Sequence, residues 1–152
     1  MIKEERESVK KDAYKEAMRY IANAKDTLAN SGMEGKFYTD AKYVRGASGI
    51  AYSGVLVALD ALAKIKEIPN PKKGSRKTID FYRDIVAENK KMLKHLDTVY
   101  KNLHLGGYYD GNEDSTVIKS GFESAKELIN LIKPAQLPPN PPPKSHKNTF
   151  FA

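Results

Sequence analysis

The sequence contains no cysteine, which excludes disulfides, zinc–thiolate centres and cysteine nucleophiles. Histidine is scarce. His95, His104 and His146 are the only three, and none falls in a metal-ligand spacing such as His-Glu-x-x-His. There is no GxSxG elbow, no GxxxxGK[ST] phosphate loop, and no DxDxDG calcium loop closed by a glutamate at its twelfth position. The GASG run at Gly46–Gly49 lies inside a helical pattern rather than after a strand, so it does not read as a phosphate loop. No catalytic, cofactor-binding or metal-binding residue is therefore expected. Long apolar runs are lacking too. The longest, GVLVAL at Gly54–Leu59, is far short of the roughly 18 residues a membrane span needs. The opening MIKEERESVKKDAYKE is charged and helix-forming, with no apolar signal-peptide core. These absences together predict a soluble, cytoplasmic protein with no membrane partner.

What the chain does have is positive charge. Its 26 basic residues outnumber 19 acidic ones, for a formal +7 and a pI near 9.4. That excess favours solubility and attraction to polyanions such as nucleic acid or an acidic protein surface, and says nothing direct about fold. A length of 152 residues suits one domain with a real core.

Four segments carry helical periodicity, and none of convincing length alternates like a strand. The first spans about Lys3 to Ala29, with Tyr14, Ala17, Met18, Ile21, Ala24 and Leu28 forming an inward stripe. Asn30, Ser31 and Gly32 stop it, Gly being the easy left-handed cap. The second begins after Asp40, whose carboxylate suits an N-cap, and runs through KYVRGASGIAYSGVLVALDALA at Lys42–Ala63. Gly, Ala and Ser occupy so many of its positions that it reads as a slim helix buried nearly all round. Gly46, Gly49 and Gly54 each cost about 1 kcal/mol against Ala in a helix interior. Close approach of another helix, or of a second subunit, offsets that cost. The third helix, capped by Ser75 or Thr78, is expected to run unbroken to about Leu103. The fourth, capped by Asp114 or Ser115, should run to Lys133 with Ile118, Phe122, Ala125, Leu128, Ile129 and Ile132 inward. The expected fold is all-α: an antiparallel up-and-down four-helix bundle over residues 1–133, followed by an extended proline-rich tail at 134–152. Phe150 and Phe151 could anchor that tail along the bundle.

Three candidate surfaces follow. Lys72, Lys73, Arg76 and Lys77, in the basic loop at 64–77, could clamp a polyanion; equally they suit a solvated connection, and no aromatic interleaves with them for base stacking. The loop HLGGYYDGNED, with adjacent glycines suggesting positive φ, could line a cleft with Arg45, His104, Tyr108, Tyr109 and Asp110. The alternative is that its tyrosines cover the bundle end, that a charged His104 complements a helix terminus, and that Arg45 makes a structural ion pair. Gly46, Gly49 and Gly54 form a candidate packing or dimer face.

The stretches AMRYIANAKDTLAN and AKYVRGASGIAYSGVLVALDALAK, with Tyr52 as the central aromatic, resemble the opening helix pair of HEPN-like bundles, and GFESAKELINLIK is compatible with a later helix. Through AYSGVLVALDAL and LHLGGYYDG the chain is similar to an uncharacterised bacterial family of this shape, over about Ala13 to Lys133. The resemblance implies a helical bundle and dimerisation. Active HEPN ribonucleases carry an Arg four to six residues before a His; here Arg6, Arg19, Arg45, Arg76 and Arg83 lack that partner, so the activity does not carry over. The expectation is a non-catalytic interaction protein, homodimeric or bound to a protein partner, with RNA or other polyanion binding through the basic loop as its rival.

Overall fold

A computed structural model of the chain describes residues 1–135. It is mostly helical, with five α-helices, one π-helical segment and a tiny hairpin. Helix α1 (Lys3–Leu28) leads into β1 (Met33–Glu34) and β2 (Phe37–Tyr38), then α2 (Ala41–Ile65), α3 (Ile79–Val86) and α4 (Lys90–Val99). The chain passes directly from α4 into the π segment (Tyr100–Tyr109) and then into α5 (Ser115–Asn130). The expected tail, with His146, Phe150 and Phe151, lies outside the described residues from 136 onward.

Local chemistry explains the starts. Asp40 accepts from the Lys42 N–H at 3.0 Å, Thr78 from Phe81 at 3.3 Å, and Asp114 from Thr116 at 2.9 Å, each satisfying an otherwise unpaired donor of a first helical turn. The third helix is not continuous. Asn89 accepts from both Lys91 and Met92 at 3.1 Å, starting α4 anew after α3 ends at Val86. A side chain that serves its own backbone so well competes with helix continuation. The stop after α1 also differs from expectation. Its cap, Ala29, is right-handed, and Gly32 is not among the positive-φ residues, which are Gly35, Glu67, Gly74 and Gly111. The glycine-requiring turn is that of the hairpin, at Gly35 with φ 59°. The hairpin pairs Met33 with Tyr38 and Glu34 with Phe37, and is tied to the start of α5 by Tyr38 N–H to Glu113 O at 2.8 Å and Ser115 N–H to Lys36 O at 2.9 Å.

The predicted inward stripes of α1 and α5 are buried, with Met18 only half-buried. Helix α2 sits at the centre, against α1, α3, the π segment and α5. Its runs are antiparallel to both main neighbours: Gly46 lies by Thr27 and Gly54 by Tyr20, while Arg45 meets Tyr109 and Tyr52 meets His104. Over an 18-residue window, α2 is long and apolar enough to cross a membrane, with a mean hydropathy of 1.4. It contains no long unbroken apolar run, because Gly and Ser interrupt it. Half of that window is buried within the fold, as a core helix would be. Yet α2 is not covered all round. Val44, Ala47, Ser48, Ala51, Tyr52, Val55, Ala58 and Leu59 are buried, whereas Arg45, Gly46 and Ser53 are exposed and Gly49, Ile50 and Leu56 are half-covered.

Candidate functional site: the groove beside α2

The stretch expected to be a loop, from His104 onward, is helical as far as Tyr109, but with π rather than α spacing. The Asp110 N–H reaches back five residues to Leu105 O at 3.0 Å, and Asn112 reaches Gly106 O at 2.8 Å. Such widened turns are uncommon and are found at functional sites. Neither Gly106 nor Gly107 has positive φ; that conformation belongs to Gly111, at φ 63°. Gly107 serves a different need. A Cβ there would overlap the Ser48 side chain of α2, so its absence lets the π segment lie directly on the small-residue helix. Ser48 Oγ is buried at that seam without a hydrogen-bond partner.

Arg45 fastens the end of the π segment. Its Nη1 donates to Tyr108 O at 3.0 Å and to Tyr109 O, two carbonyls at a helix C-terminus, where a cation is favoured. Its partner is therefore backbone rather than the carboxylate expected of a structural ion pair. The same guanidinium lies under Gly111, where a Cβ would stand 2.8 Å from Nε and Nη2. Gly111 thus answers two demands at once, positive φ and close approach.

Above this seam runs an open groove of about 630 Å³, bounded by Tyr20 of α1, by Arg45, Gly46, Gly49, Ile50, Tyr52, Ser53 and Leu56 of α2, and by His104, Tyr108 and Tyr109 of the π segment. His104 is its aromatic hub. Its ring stacks on Tyr52 at 4.5 Å and on Tyr100 at 5.3 Å, lies nearly parallel to Tyr108 at 6.0 Å, and meets Tyr109 edge-on at 5.0 Å. Burial lowers the His104 pKa below its ordinary value, because an imidazolium loses hydration among rings. His104 is thus a neutral ring within the segment, not the cation at a helix end that its sequence position suggested. Burial, and then Tyr100, push the Tyr52 phenol up to about 12, against a smaller opposing effect of Arg83. Tyr108 and Tyr109 stand on the rim, 47% and 59% exposed among the described residues.

The structure thus brings Arg45, His104, Tyr108 and Tyr109 together with Gly46 and Gly49. Asp110 is exposed and does not line the groove. Gly54 does not belong here either: a Cβ on it would stand 2.8 Å from Tyr20 Cβ and 3.1 Å from Ala17 O, so it serves packing of α1 on α2 rather than a dimer face. Sequence reading missed Tyr20, Ile50, Ser53 and Leu56 as lining residues. The available signal for Tyr20 was its position off the Ala17–Ile21–Ala24 stripe, which turns a large ring away from the core.

The basic loop lies elsewhere. Lys72, Lys73 and Arg76 are exposed and make no ion pair among the described residues. Lys77 is different, pairing with Asp60 at 3.1 Å, an acid that also accepts from the Tyr82 hydroxyl at 3.0 Å. Among the described residues no cluster of three or more His, Asp or Glu could hold a metal ion.

No curated protein matches the chain. A solved structure, a protein of unknown function from Dyadobacter fermentans, is 42% identical, with a TM-score of 0.72, covering 80% of this chain and 94% of that one. The profile of one family matches residues 12–134, a span that includes α2, the π segment and every residue of the groove. On that match the chain belongs to the family described as Domain of unknown function (DUF5618).

Proposed function

We propose that this protein is a cytoplasmic, non-catalytic interaction protein, built as a four-helix HEPN-like bundle in which α3, α4 and the π segment together form the third rod. Its working surface is the groove beside α2. The observation that carries this is the exposed pair Tyr108 and Tyr109 over a floor of Gly46, Gly49, Ile50 and Leu56. An apolar groove rimmed by aromatic side chains suits a protein partner, since tyrosine supplies large contact area at low entropic cost. Its polar groups are poorly placed for chemistry. Arg45 is engaged by backbone carbonyls, His104 is held neutral without a hydrogen-bonded nucleophile, and the Tyr52 phenol is hard to ionise. A second copy of the chain is one such partner, through Gly46 and Gly49 but not Gly54.

The rival is polyanion binding by Lys72, Lys73 and Arg76, favoured by their exposure without counter-ions. Lys77 contributes less, being neutralised by Asp60. Affinity capture of the tagged full chain from its own cells, with and without nuclease, separates the two. Tyr109→Glu should lose a nuclease-resistant protein partner that the triple variant Lys72→Glu, Lys73→Glu, Arg76→Glu keeps. Loss to nuclease and to the triple variant, with the groove variant unaffected, transfers the function to the loop. Light scattering on the purified chain, with Leu56→Glu as the groove variant, reads the dimer directly.

A further inference from the structure

We infer that the groove beside α2 is a small-molecule site for a monocarboxylate with an apolar chain, its head on Arg45 and its chain along the floor towards Leu56. This goes beyond the docking of a protein partner at the same groove and is tested apart from it.

Among the described residues Arg45 is the one charged side chain lining the groove. Arg19 and Arg83 are matched by carboxylates, Arg19 by Glu16 and Arg83 by Asp80 and Asp97. Arg45 is oriented instead by the Tyr108 and Tyr109 carbonyls, which fix a guanidinium without cancelling its charge. Only Nη1 is engaged in this way. Nε and Nη2 donate to no described residue, and the residue is exposed. Gly111 keeps that edge of the guanidinium clear of side chain, since a Cβ there would stand 2.8 Å from both Nε and Nη2. Two adjacent N–H donors match the two oxygens of a carboxylate. No carboxylate among the described residues lines the groove, and His104 is held neutral by burial. One cation therefore balances a monoanion, whereas a dianionic phosphate would lack a second partner.

The rest of the groove suits an apolar chain. Arg45, Gly49, Ser53 and Leu56 line it from successive turns of α2, so it follows the helix axis for about 16 Å at 1.5 Å per residue. Charge lies at one end and apolar surface towards the other. Gly46 and Gly49 keep the floor low, while Ile50 and Leu56 are only half-covered and leave apolar area for a ligand to bury. A volume of about 630 Å³ falls within the range of small-ligand clefts. The apolar crevice lined by Ala61, Leu62, Ile65 and Met92 also has a cation at its edge, Lys10. It measures only about 80 Å³, and Lys10 is paired with Glu7 at 3.9 Å.

Titration of the full chain with sodium decanoate, followed by nuclear magnetic resonance, tests this. The amide signals of Gly46, Gly49, Ser53 and Tyr109 should shift saturably. Hexanoate should bind at least about tenfold more weakly, since each fully buried methylene is worth about fourfold. Decylamine, with the same chain and the opposite charge, should shift none of these signals. Arg45→Gln should weaken decanoate more than about tenfold, and Arg45→Lys should recover part of that loss. Leu56→Glu, at the far end of the groove from Arg45, should abolish binding while leaving the Tyr108 and Tyr109 signals of the free chain in place. Decylamine binding as tightly as decanoate overturns the inference. So do an absence of saturable shifts, shifts centred on Ala61–Ile65, equal affinity for hexanoate, tighter binding of decyl phosphate, or full affinity in Arg45→Gln or Leu56→Glu. The capture experiment with Tyr109→Glu decides docking of a protein partner whichever way this titration falls.

Discussion

Helix α2 meets its two main neighbours in contrasting ways. Against α1 the contact is between two regular α-helices, and Gly54 accepts the Tyr20 Cβ and the Ala17 carbonyl. Against the π segment, the widened turns place Gly107 over Ser48 and lean the Tyr108 ring on Gly49, where a Cβ would stand 3.0 Å from the ring. The first seam uses small residues to bring helices together. The second uses them to seat aromatic rings beside a groove. The same residue type, repeated along one helix, therefore has a packing role on one side and a site-building role on the other.

The sharpest way to break this comparison is to add one methyl group to each seam. Gly107→Ala drives a Cβ into the buried Ser48 side chain, and overpacking of this kind costs typically 1–3 kcal/mol. We expect about 3 kcal/mol of lost stability in urea unfolding, with recovery in the double variant Gly107→Ala, Ser48→Gly. Gly54→Ala meets Tyr20 Cβ and Ala17 O at 2.8 and 3.1 Å, while gaining about 1 kcal/mol of helix propensity, so its net loss should be nearer 1 kcal/mol. Equal losses at the two positions would remove the distinction between the seams.

The aromatic seam also predicts alkaline sensitivity. Burial raises the Tyr52 pKa to about 12, so the folded chain holds a proton that the unfolded chain releases near pH 10. The associated stability is fully present below pH 10 and is lost as pH rises towards 12, to the extent of about 2 kcal/mol. Tyr52→Phe should remove that part of the alkaline decline while leaving neutral-pH stability nearly unchanged, because the hydroxyl makes no hydrogen bond among the described residues. Tyr82, raised by burial, then by Asp60 and to a lesser extent by Tyr52 itself, supplies a remaining decline in both proteins.

These contrasts also mark what could be read from sequence. The stripes of α1 and α5 were legible because an amphipathic helix repeats its apolar residues every three or four positions, and the cap Asp40 because its side chain acts on its own next turn; Thr78 and Asp114 were each one of two candidates, beside Ser75 and Ser115. The break at Asn89 was not read, since apolar spacing continues from Ile85 and Val86 into Met92 and hides the restart. From His104 onward the π segment reads as a loop, because two glycines usually signal turns. Here Gly107 answers a contact with Ser48, 59 positions earlier in the chain, which no local pattern can reveal. Arg45, His104, Tyr108 and Tyr109 were singled out by chemistry alone. Their meeting with Gly46 and Gly49, and the separation of Gly54 and Asp110 from them, depend on how α2 is rotated in the fold.

Arg45 tests whether the π segment is held from outside. Arg45→Ala leaves the Tyr108 and Tyr109 carbonyls without their donor, and an exposed charge-assisted bond of this kind is worth about 1 kcal/mol. Beyond that modest global loss, hydrogen exchange at Asp110, Gly111 and Asn112 should accelerate, while exchange in α1 stays unchanged. Arg45→Lys should recover less than half, since one ammonium cannot reproduce the flat guanidinium under Gly111. Equal acceleration in α1 would mean that Arg45 stabilises the fold generally and does not fasten this end.

The smallest effect expected comes from His104, and it distinguishes the seams by pH. Its pKa in the folded chain is lowered by burial, among the rings of Tyr52, Tyr100, Tyr108 and Tyr109 that face it. Arg45, which lines the same groove, cannot favour a second cation. Below the unfolded value of 6.5 the unfolded chain binds a proton that the folded chain resists, so stability rises with pH through this window and is lost on acidification. Acidification from pH 7 should therefore loosen the ring column first. In His104→Gln the slope of unfolding free energy between pH 6.5 and the lowered folded value should flatten, without a matching change in a Gly54→Ala chain. A slope that survives His104→Gln would place the acid-sensitive group away from the ring column.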